Sequence, residues 1–248
     1  MTDVRIERTE RLVLKVATLA KRSIEDEENV SRAWRELRDS QGSLFDGPIA
    51  SVVNLGRTCN TTTIYWASTT YRYYAVRASQ SYHGTSAKSL YASVIVRTTE
   101  GAILFGKMAE HTASPNRWQL PGGTIAPPEQ VATMKESYAR QTALRELHEE
   151  VGLQLEPTDL RLWGIKSGGE FGDVGVFYIT VMPFDVAHVR EVFERHLFTE
   201  SSAGRRSELV RLEAVTAPEE LLIGAADSVV DYAGAVCRAF CNSIPQGC

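Results

Sequence analysis

Cysteine is scarce in this sequence, and the few cysteines lack the spacing of a functional site. Only four of the 248 residues are cysteine, and no two of them form a CxxC pair. This argues against a zinc site and against a thioredoxin-like redox pair. Cys237 falls on the apolar stripe of a predicted C-terminal helix, so we expect its thiol to be buried.

Long apolar runs are also absent. The longest, residues 174–184, has the length of a strand, whereas a membrane-spanning helix needs about 20 apolar residues. The apolar stretch at residues 12–20 is interrupted by Lys15 and follows several charged side chains, which does not fit a signal peptide. We therefore expect a cytoplasmic protein that has no membrane partner.

The sequence has no excess of basic residues. It carries 27 lysines and arginines against 31 acidic residues, a net charge of -4, which argues against a nucleic-acid partner. Hydrophobic residues make up 43% and charged residues 23%, both ordinary for a globular protein. The length predicts one large domain or two small ones.

A polar stretch at residues 80–89 divides the chain into a predicted extension, residues 1–85, and a predicted domain, residues 86–248. In the extension we expect helix over residues 10–39, with a charged break at 25–28, and a β-hairpin made of residues 50–55 and 61–68. An isolated hairpin is barely stable. The extension should therefore cover an edge of the domain or form a homodimer.

The second part mixes strand and helix patterns. Strands are predicted at residues 91–97, 102–107, 160–165, 174–181 and 209–215, and helices at 142–151, 186–196 and 227–241. The predicted class is α/β (α+β), a mixed sheet sandwiched between helices.

Three tyrosines follow the hairpin, at Tyr71, Tyr73 and Tyr74. Such a cluster can stack on a nucleobase. It can equally pack between two parts of the structure. The sequence leaves both readings open.

The most informative segment is a helix rich in carboxylates. Glu146, Glu149 and Glu150 fall within an arc of about 100°, and Arg145 can pair with Glu149 one turn away. Like charges at this spacing repel by roughly 0.2–0.5 kcal/mol per pair, and no lysine occurs between residues 135 and 166 to relieve them. A divalent cation would do so, and oxygen-only ligands favour Mg²⁺ or Mn²⁺. The alternative is an ordinary solvated acidic face.

Residues upstream of this helix extend the pattern. The run Trp-Gln-Leu-Pro-Gly-Gly ends at Gly123 and is followed by Glu129, and Arg145 opens R-E-L-x-E-E-x-G-L. Together they resemble the box of the Nudix hydrolases, G-x5-E-x7-R-E-U-x-E-E-x-G-U, where U is apolar. Fifteen residues, 130–144, stand where the family has seven. Because of this insertion, Glu136 is an alternative to Glu129.

The resemblance implies a Nudix fold over about residues 90–248 and hydrolysis of a phosphoanhydride with Mg²⁺ or Mn²⁺. By resemblance, Glu146, Glu149 and Glu150 hold the metal, and Arg145 orients these carboxylates. Gly123 shapes the loop at the metal, and Glu129 supports the metal directly or through water.

The general base is less defined by the resemblance, because family members use a glutamate of the box or one from a downstream loop. Glu208 is the downstream candidate, and Glu200 is the second choice. Arg205 and Arg206 in the same loop could clamp a phosphate or be surface residues.

The resemblance implies a small-molecule substrate in which a nucleoside diphosphate is linked to another group. The extension, with its Leu-Phe-Asp-Gly-Pro at residues 44–48 and Thr-Tyr-Arg at 70–72, is similar to the UDP-sugar hydrolase branch. UDP-sugars are therefore favoured over ADP-ribose and dinucleotides. The alternative is a non-catalytic Nudix module that senses a nucleotide.

Overall fold

The chain forms two sheets with helices packed on them. The computed structural model describes residues 2–41, 44–112, 114–130, 133–216, 220 and 228–241. Its strands are β1 (Thr2–Arg8), β2 (Arg11–Val16), β3 (Pro48–Arg57), β4 (Thr61–Thr70), β5 (Leu90–Arg97), β6 (Ile103–Met108), β7 (Arg117–Gln119), β8 (Gly122–Thr124), β9 (Arg161–Gly169), β10 (Val174–Val181), β11 (Leu209–Val215) and β12 (Ser228–Val229). Its α-helices are α1 (Ile24–Gln41), α2 (Arg72–Ala75), α3 (Glu136–Val151), α4 (Val186–Ser202) and α5 (Ala233–Cys241).

The larger sheet is mixed. Its strands lie in the order β1-β9-β10-β5-β6-β7-β12, while β8 pairs with β5 and β11 pairs with β6. Strands β5 and β10 run parallel, as do β7 and β12, whereas β9 is antiparallel to both of its neighbours.

Alternate residues of β5 face opposite sides of this sheet, as the period of a strand requires. Ala92, Val94 and Val96 join the core covered by α3 and α4. Ile95 joins the core covered by α5. The sheet therefore lies between helices, which confirms the predicted α/β (α+β) class.

The predicted helix over residues 10–39 is wrong in its first half. Residues 2–8 and 11–16 are strands, and α1 begins only at Ile24. β1 pairs with β9, and β2 pairs with β4, so partners distant in sequence decide the structure here. The predicted break is part of α1, because Glu25, Asp26 and Glu27 occupy its first turn, where the helix dipole favours negative charge.

The hairpin lies where it was predicted and packs on the larger sheet. β3 and β4 pair antiparallel, and β2 joins them in a second, three-stranded sheet. Ile64 and Trp66 are fully buried in the same core as Ala92. The Ala50 N–H also donates to the Ile125 carbonyl at 2.9 Å. The domain boundary at residue 85 stays a prediction, and β1 lies in the larger sheet.

The predicted C-terminal helix begins later than expected. Residue 227 lies outside the described residues, Val229 is in β12, and α5 starts at Ala233. The register of β12 explains the difference, because Val229 pairs with Trp118 of β7 rather than continuing a helix. Cys237 is 1% exposed, as predicted.

Helices α3 and α4 are both longer than predicted. α3 begins at residue 136 rather than 142, and α4 continues to residue 202 rather than 196. Among the described residues, no helix combines the length and apolarity needed to cross a membrane.

Candidate active site

The rotation of α3 is fixed by its apolar side. Ala143, Leu147 and Val151 are fully buried and belong to the core beneath β5. The helix ends at Gly152, whose φ of 81° is the left-handed conformation that glycine adopts easily. These contacts determine which way the carboxylates between them point.

Glu150 is the most deeply placed of the three carboxylates. It is only 3% exposed, and the Gly122 N–H donates to its Oε2 at 2.8 Å. Burial raises the pKa of Glu150 well above its usual range, and the charges of Glu146, Glu208 and Glu149 raise it further, while the bond from Gly122 opposes the rise. Glu150 is therefore a buried carboxylate with no countercharge among the described residues.

Glu146 lies against the same loop one turn earlier. A Cβ at Gly123 would stand 2.6 Å from its carboxyl carbon, so the glycine makes room for the carboxylate. Burial is the main reason that the pKa of Glu146 rises to about 7, with Arg145 opposing and Glu149 and Glu208 adding to the rise.

Arg145 bridges two of the carboxylates, as expected from the spacing. Its Nη2 lies 2.6 Å from Glu146 Oε1, and its Nη1 lies 3.2 Å from Glu149 Oε2. The side chain of Glu149 is 55% exposed. The three glutamates therefore do not share one solvated face, because Glu150 is buried, Glu146 is half-buried and Glu149 is exposed.

The loop before α3 needs both of its glycines, for different reasons. Gly122 has φ of 152°, and a Cβ there would stand 2.3 Å from the Ala92 carbonyl oxygen. Gly123 pairs with Ala92 in the β8–β5 ladder and faces Glu146. Strand pairing thus brings the loop backbone onto α3.

Glu208 reaches this site from the start of another strand. It immediately precedes β11 and lines the same cavity as Gly122 and Gly123. Its charge is among those that raise the pKa values of both Glu146 and Glu150. The structure thus brings together Glu146, Glu150 and Glu208, which we call the carboxylate cluster.

Glu200, the second candidate for the general base, is paired with an arginine away from the cavity. Both carboxylate oxygens of Glu200 accept bonds from Arg205, each at 2.6 Å. Glu200, Arg205 and Arg206 do not line the cavity that holds Glu208. The loop arginines are exposed surface residues.

The two candidates for the first glutamate of the box lie apart from the cluster. Glu129 is exposed in the loop after β8 and is not part of the cavity lining. Glu136 is the first residue of α3 and pairs with Arg140 at 2.9 Å. With a rise of about 1.5 Å per residue, it stands roughly 20 Å along the helix from Glu150.

The cavity beside the cluster has a volume of about 460 Å³, within the range of small-molecule sites. Beyond the glycine loop it is lined by Tyr71, Tyr74, Lys166 and Asp231. The glycine loop of the box therefore borders a space large enough for a nucleotide-sized molecule, while the glutamates of α3 lie outside the lining.

Comparison with known proteins identifies the family. Residues 88–228 match the NUDIX domain. The chain belongs to the NUDIX domain family. This membership supports an enzyme of the pyrophosphohydrolase class. No curated protein matches the chain significantly.

Several solved structures resemble this NUDIX chain at low sequence identity. A MutT protein from Methanosarcina mazei Go1 is 17% identical, with a TM-score of 0.41 over 64% of this chain and 96% of that one. The protein DR0079 from Deinococcus radiodurans is 13% identical, with a TM-score of 0.43 over 77% and 98%. A Bacillus subtilis pyrophosphohydrolase is 17% identical, with a TM-score of 0.39 over 67% and 85%.

The donor set of the NUDIX box suits a hard divalent cation. The box glutamates offer only oxygen ligands, and Glu146 and Glu150 carry raised pKa values that a nearby cation would lower. In the described part of the chain, no three acidic, histidine or cysteine side chains stand close enough together to hold a metal ion. Arg145 meanwhile holds Glu146 and Glu149 in ion pairs.

Sequence reasoning missed the polar residues at the far end of the cavity. Lys166 is 3% exposed, and its Nζ donates to Asp231 at 3.2 Å and to the Gly168 carbonyl at 2.9 Å. One signal was available, because Lys166 directly follows the predicted strand at residues 160–165. Asp231 carried no comparable signal, since residues 227–241 were predicted as one helix.

Proposed function

We propose that this NUDIX protein is a hydrolase that uses Mg²⁺ or Mn²⁺ to cleave the pyrophosphate bond of a nucleoside diphosphate linked to another group. One observation carries the proposal. Two box carboxylates without a full countercharge, Glu146 and Glu150, converge on the Gly122–Gly123 loop at the wall of a cavity of about 460 Å³.

In this proposal Glu146, Glu149 and Glu150 hold the metal, which neutralises phosphate charge and lowers the pKa of water when bound. Arg145 positions Glu146 and Glu149 through its two ion pairs. Gly123 leaves space for Glu146. Glu129 is proposed to contribute through water.

Glu208 is the proposed general base. It is exposed and lines the cavity. It lies within electrostatic range of Glu146 and Glu150. A base needs this combination of access to water and closeness to the reacting phosphate.

For the substrate we favour UDP-sugars, then ADP-ribose and dinucleotides. The cavity carries aromatic side chains and the ion pair between the buried Lys166 and the more exposed Asp231, a combination that suits a base and a hydroxylated group. A cytoplasmic location, a homodimer and the absence of nucleic-acid and membrane partners stay predictions.

The test is turnover of a panel containing UDP-sugars, ADP-ribose, dinucleotides, coenzyme A and dNTPs, with Mg²⁺ or Mn²⁺, followed by chromatography of the products. We expect a nucleoside monophosphate and a phosphorylated partner, with the highest kcat/KM for a UDP-sugar. Glu208→Gln should lower kcat, whereas Glu194→Gln, an exposed glutamate of α4, is the matched control.

The second candidate function is a non-catalytic nucleotide sensor. It would be supported if the purified protein bound nucleotides in the panel but hydrolysed none of them. The retained carboxylate cluster favours the enzyme, because a pure binding module has no need for buried, uncompensated carboxylates.

A further inference from the structure

Part of the cavity wall comes from residues that precede the NUDIX match. Tyr71 and Tyr74 line the cavity together with Gly122, Gly123 and Glu208, yet the match begins at residue 88. We call these two residues the tyrosine wall. The extension therefore forms part of the site itself.

The tyrosine wall is supported by contacts with neighbouring side chains. The two rings lie 5.5 Å apart between centroids, and Trp34 of α1 packs edge-on against Tyr71 at 6.3 Å. The guanidinium of Arg77 lies 3.5 Å from the centroid of the Tyr74 ring and is anchored by Asp173 at 2.6 Å. Rings fixed in this way lose little entropy when a ligand stacks on them.

The wall also extends close to the reacting end of the cavity. The phenol of Tyr71 is influenced by the charge of Glu208, which, after burial, contributes to its raised pKa. A group resting on Tyr71 would thus share one cavity with Glu208, Gly122 and Gly123.

The opposite side of the cavity contains an unused hydrogen-bonding group. Tyr91 stacks on Tyr232 with 6.2 Å between ring centroids. The Tyr91 hydroxyl is shielded from solvent and has no hydrogen-bond partner among the described residues. A buried hydroxyl without a partner is costly, and a polar atom of a ligand would remove that cost.

Tyr73 lies between the two residues of the tyrosine wall in the sequence but has a structural role. Its hydroxyl donates to Glu27 of α1 at 2.9 Å, and its ring packs in the small core around Trp34. It does not line the cavity. Tyr71 packs on the same small core as Tyr73 but, like Tyr74, also lines the cavity.

We propose that the tyrosine wall is the base-recognition surface of this enzyme. The nucleobase of the substrate stacks on Tyr71 and Tyr74, the Tyr91 hydroxyl bonds to a polar atom of the nucleoside, and the diphosphate extends towards Gly122 and Gly123. This inference rests on the proposed function for its choice of a nucleotide as ligand.

The test measures equilibrium binding without catalysis. UMP and AMP are the base-bearing probes, and ribose 5-phosphate is the base-free probe. In Tyr71→Leu, affinity for the preferred nucleoside monophosphate should fall by roughly 5- to 150-fold, while affinity for ribose 5-phosphate changes less than about twofold. Tyr71→Phe keeps the ring and should recover the lost affinity, and Tyr73→Leu is the matched control.

Equal losses for base-bearing and base-free probes, or no binding of either monophosphate by the wild type, would overturn the proposal.

Because a leucine variant could fail to fold, wild-type protein is also irradiated with 5-iodouridine or 8-azidoadenosine monophosphate. Adducts on the peptide containing Tyr71 and Tyr74 support the wall, and adducts only elsewhere contradict it. If binding depended on the Tyr71 ring but no member of the substrate panel were hydrolysed, the proposed enzymatic function would be rejected. The proposed role of the tyrosine wall in recognising the base would then still be supported.

Discussion

Substitutions of two adjacent glycines at the site should affect different properties, one the activity and the other the stability. Gly123 faces the flexible end of Glu146, so the Cβ of Gly123→Ala displaces a carboxylate rather than the backbone. We expect kcat to fall by about 10- to 100-fold because a metal ligand is misplaced, with little change in the denaturation midpoint. Initial rates and urea unfolding of the variant measure both quantities.

Gly122→Ala is the matched control for that prediction. Its Cβ would strike the Ala92 carbonyl, and its φ of 152° disfavours a side chain. It should cost roughly 2 kcal/mol or more of folding stability. If Gly123→Ala were the less stable of the two variants, the assignment of their roles would be reversed.

The half-buried Glu146 makes metal-free stability depend on pH. Its usual pKa of 4.5 rises to about 7 in the folded chain. Because the folded state holds this proton more tightly, the resulting stabilisation is complete below about pH 4.5 and is lost as the pH rises to about 7.

Thermal melting in EDTA between pH 4.5 and 8 tests this dependence. The wild-type melting temperature should fall across that range, and Glu146→Gln should show a smaller fall. Mg²⁺ should stabilise the wild type most at the alkaline end, since metal and proton compete for the carboxylate. Parallel curves for the two proteins in EDTA would contradict the prediction.

At the scale of elements, β6 and β11 meet at a contact that positions Glu208. Gly106 of β6 leaves no room for a Cβ, which would stand 2.3 Å from Leu209 Cδ1, and Leu209 directly follows Glu208. Gly106→Ala should therefore displace the start of β11, lower kcat and cost about 1–3 kcal/mol of stability.

A double-mutant cycle checks that this effect is local. Leu209→Ala removes the clashing methyl groups, so adding it to Gly106→Ala should cost less than the sum of the two single changes. Additive losses in the free energy of unfolding would show that the two side chains do not compete for the same space.

The sequence determines some elements more clearly than others, for reasons visible in particular residues. The hairpin and strands β5, β10 and β11 carry alternating or β-branched patterns and are confirmed. The segment predicted as helix contains β2, and β1 has no predicted element, because their partners, β4 and β9, are distant in the chain. The box predicted the glutamates, but the burial of Glu150 depends on how β8 pairs with β5, which no local pattern reveals.

At the scale of the whole molecule, the extension and the NUDIX region share one core. Trp66 of β4 is fully buried beside residues of β5 and α3. We expect Trp66→Ala to cost about 3–5 kcal/mol and the full chain to unfold in a single transition. Tyrosine and tryptophan fluorescence should coincide with far-ultraviolet circular dichroism during denaturation, whereas two separated transitions would indicate independently stable parts.

The α3 carboxylates are proposed to hold the catalytic cation, and Glu150→Gln is the variant that removes one of these charges with the least change in shape. Glutamine can still accept the Gly122 N–H through its carbonyl oxygen, so the fold should persist, while the charge that binds the cation is lost. The measurement pairs the initial rate in Mg²⁺ with the melting temperature in EDTA for wild type and variant. We predict a rate lower by about 100-fold or more with an unchanged or raised melting temperature. A near-normal rate with a lowered melting temperature would show that Glu150 is structural and would contradict the account.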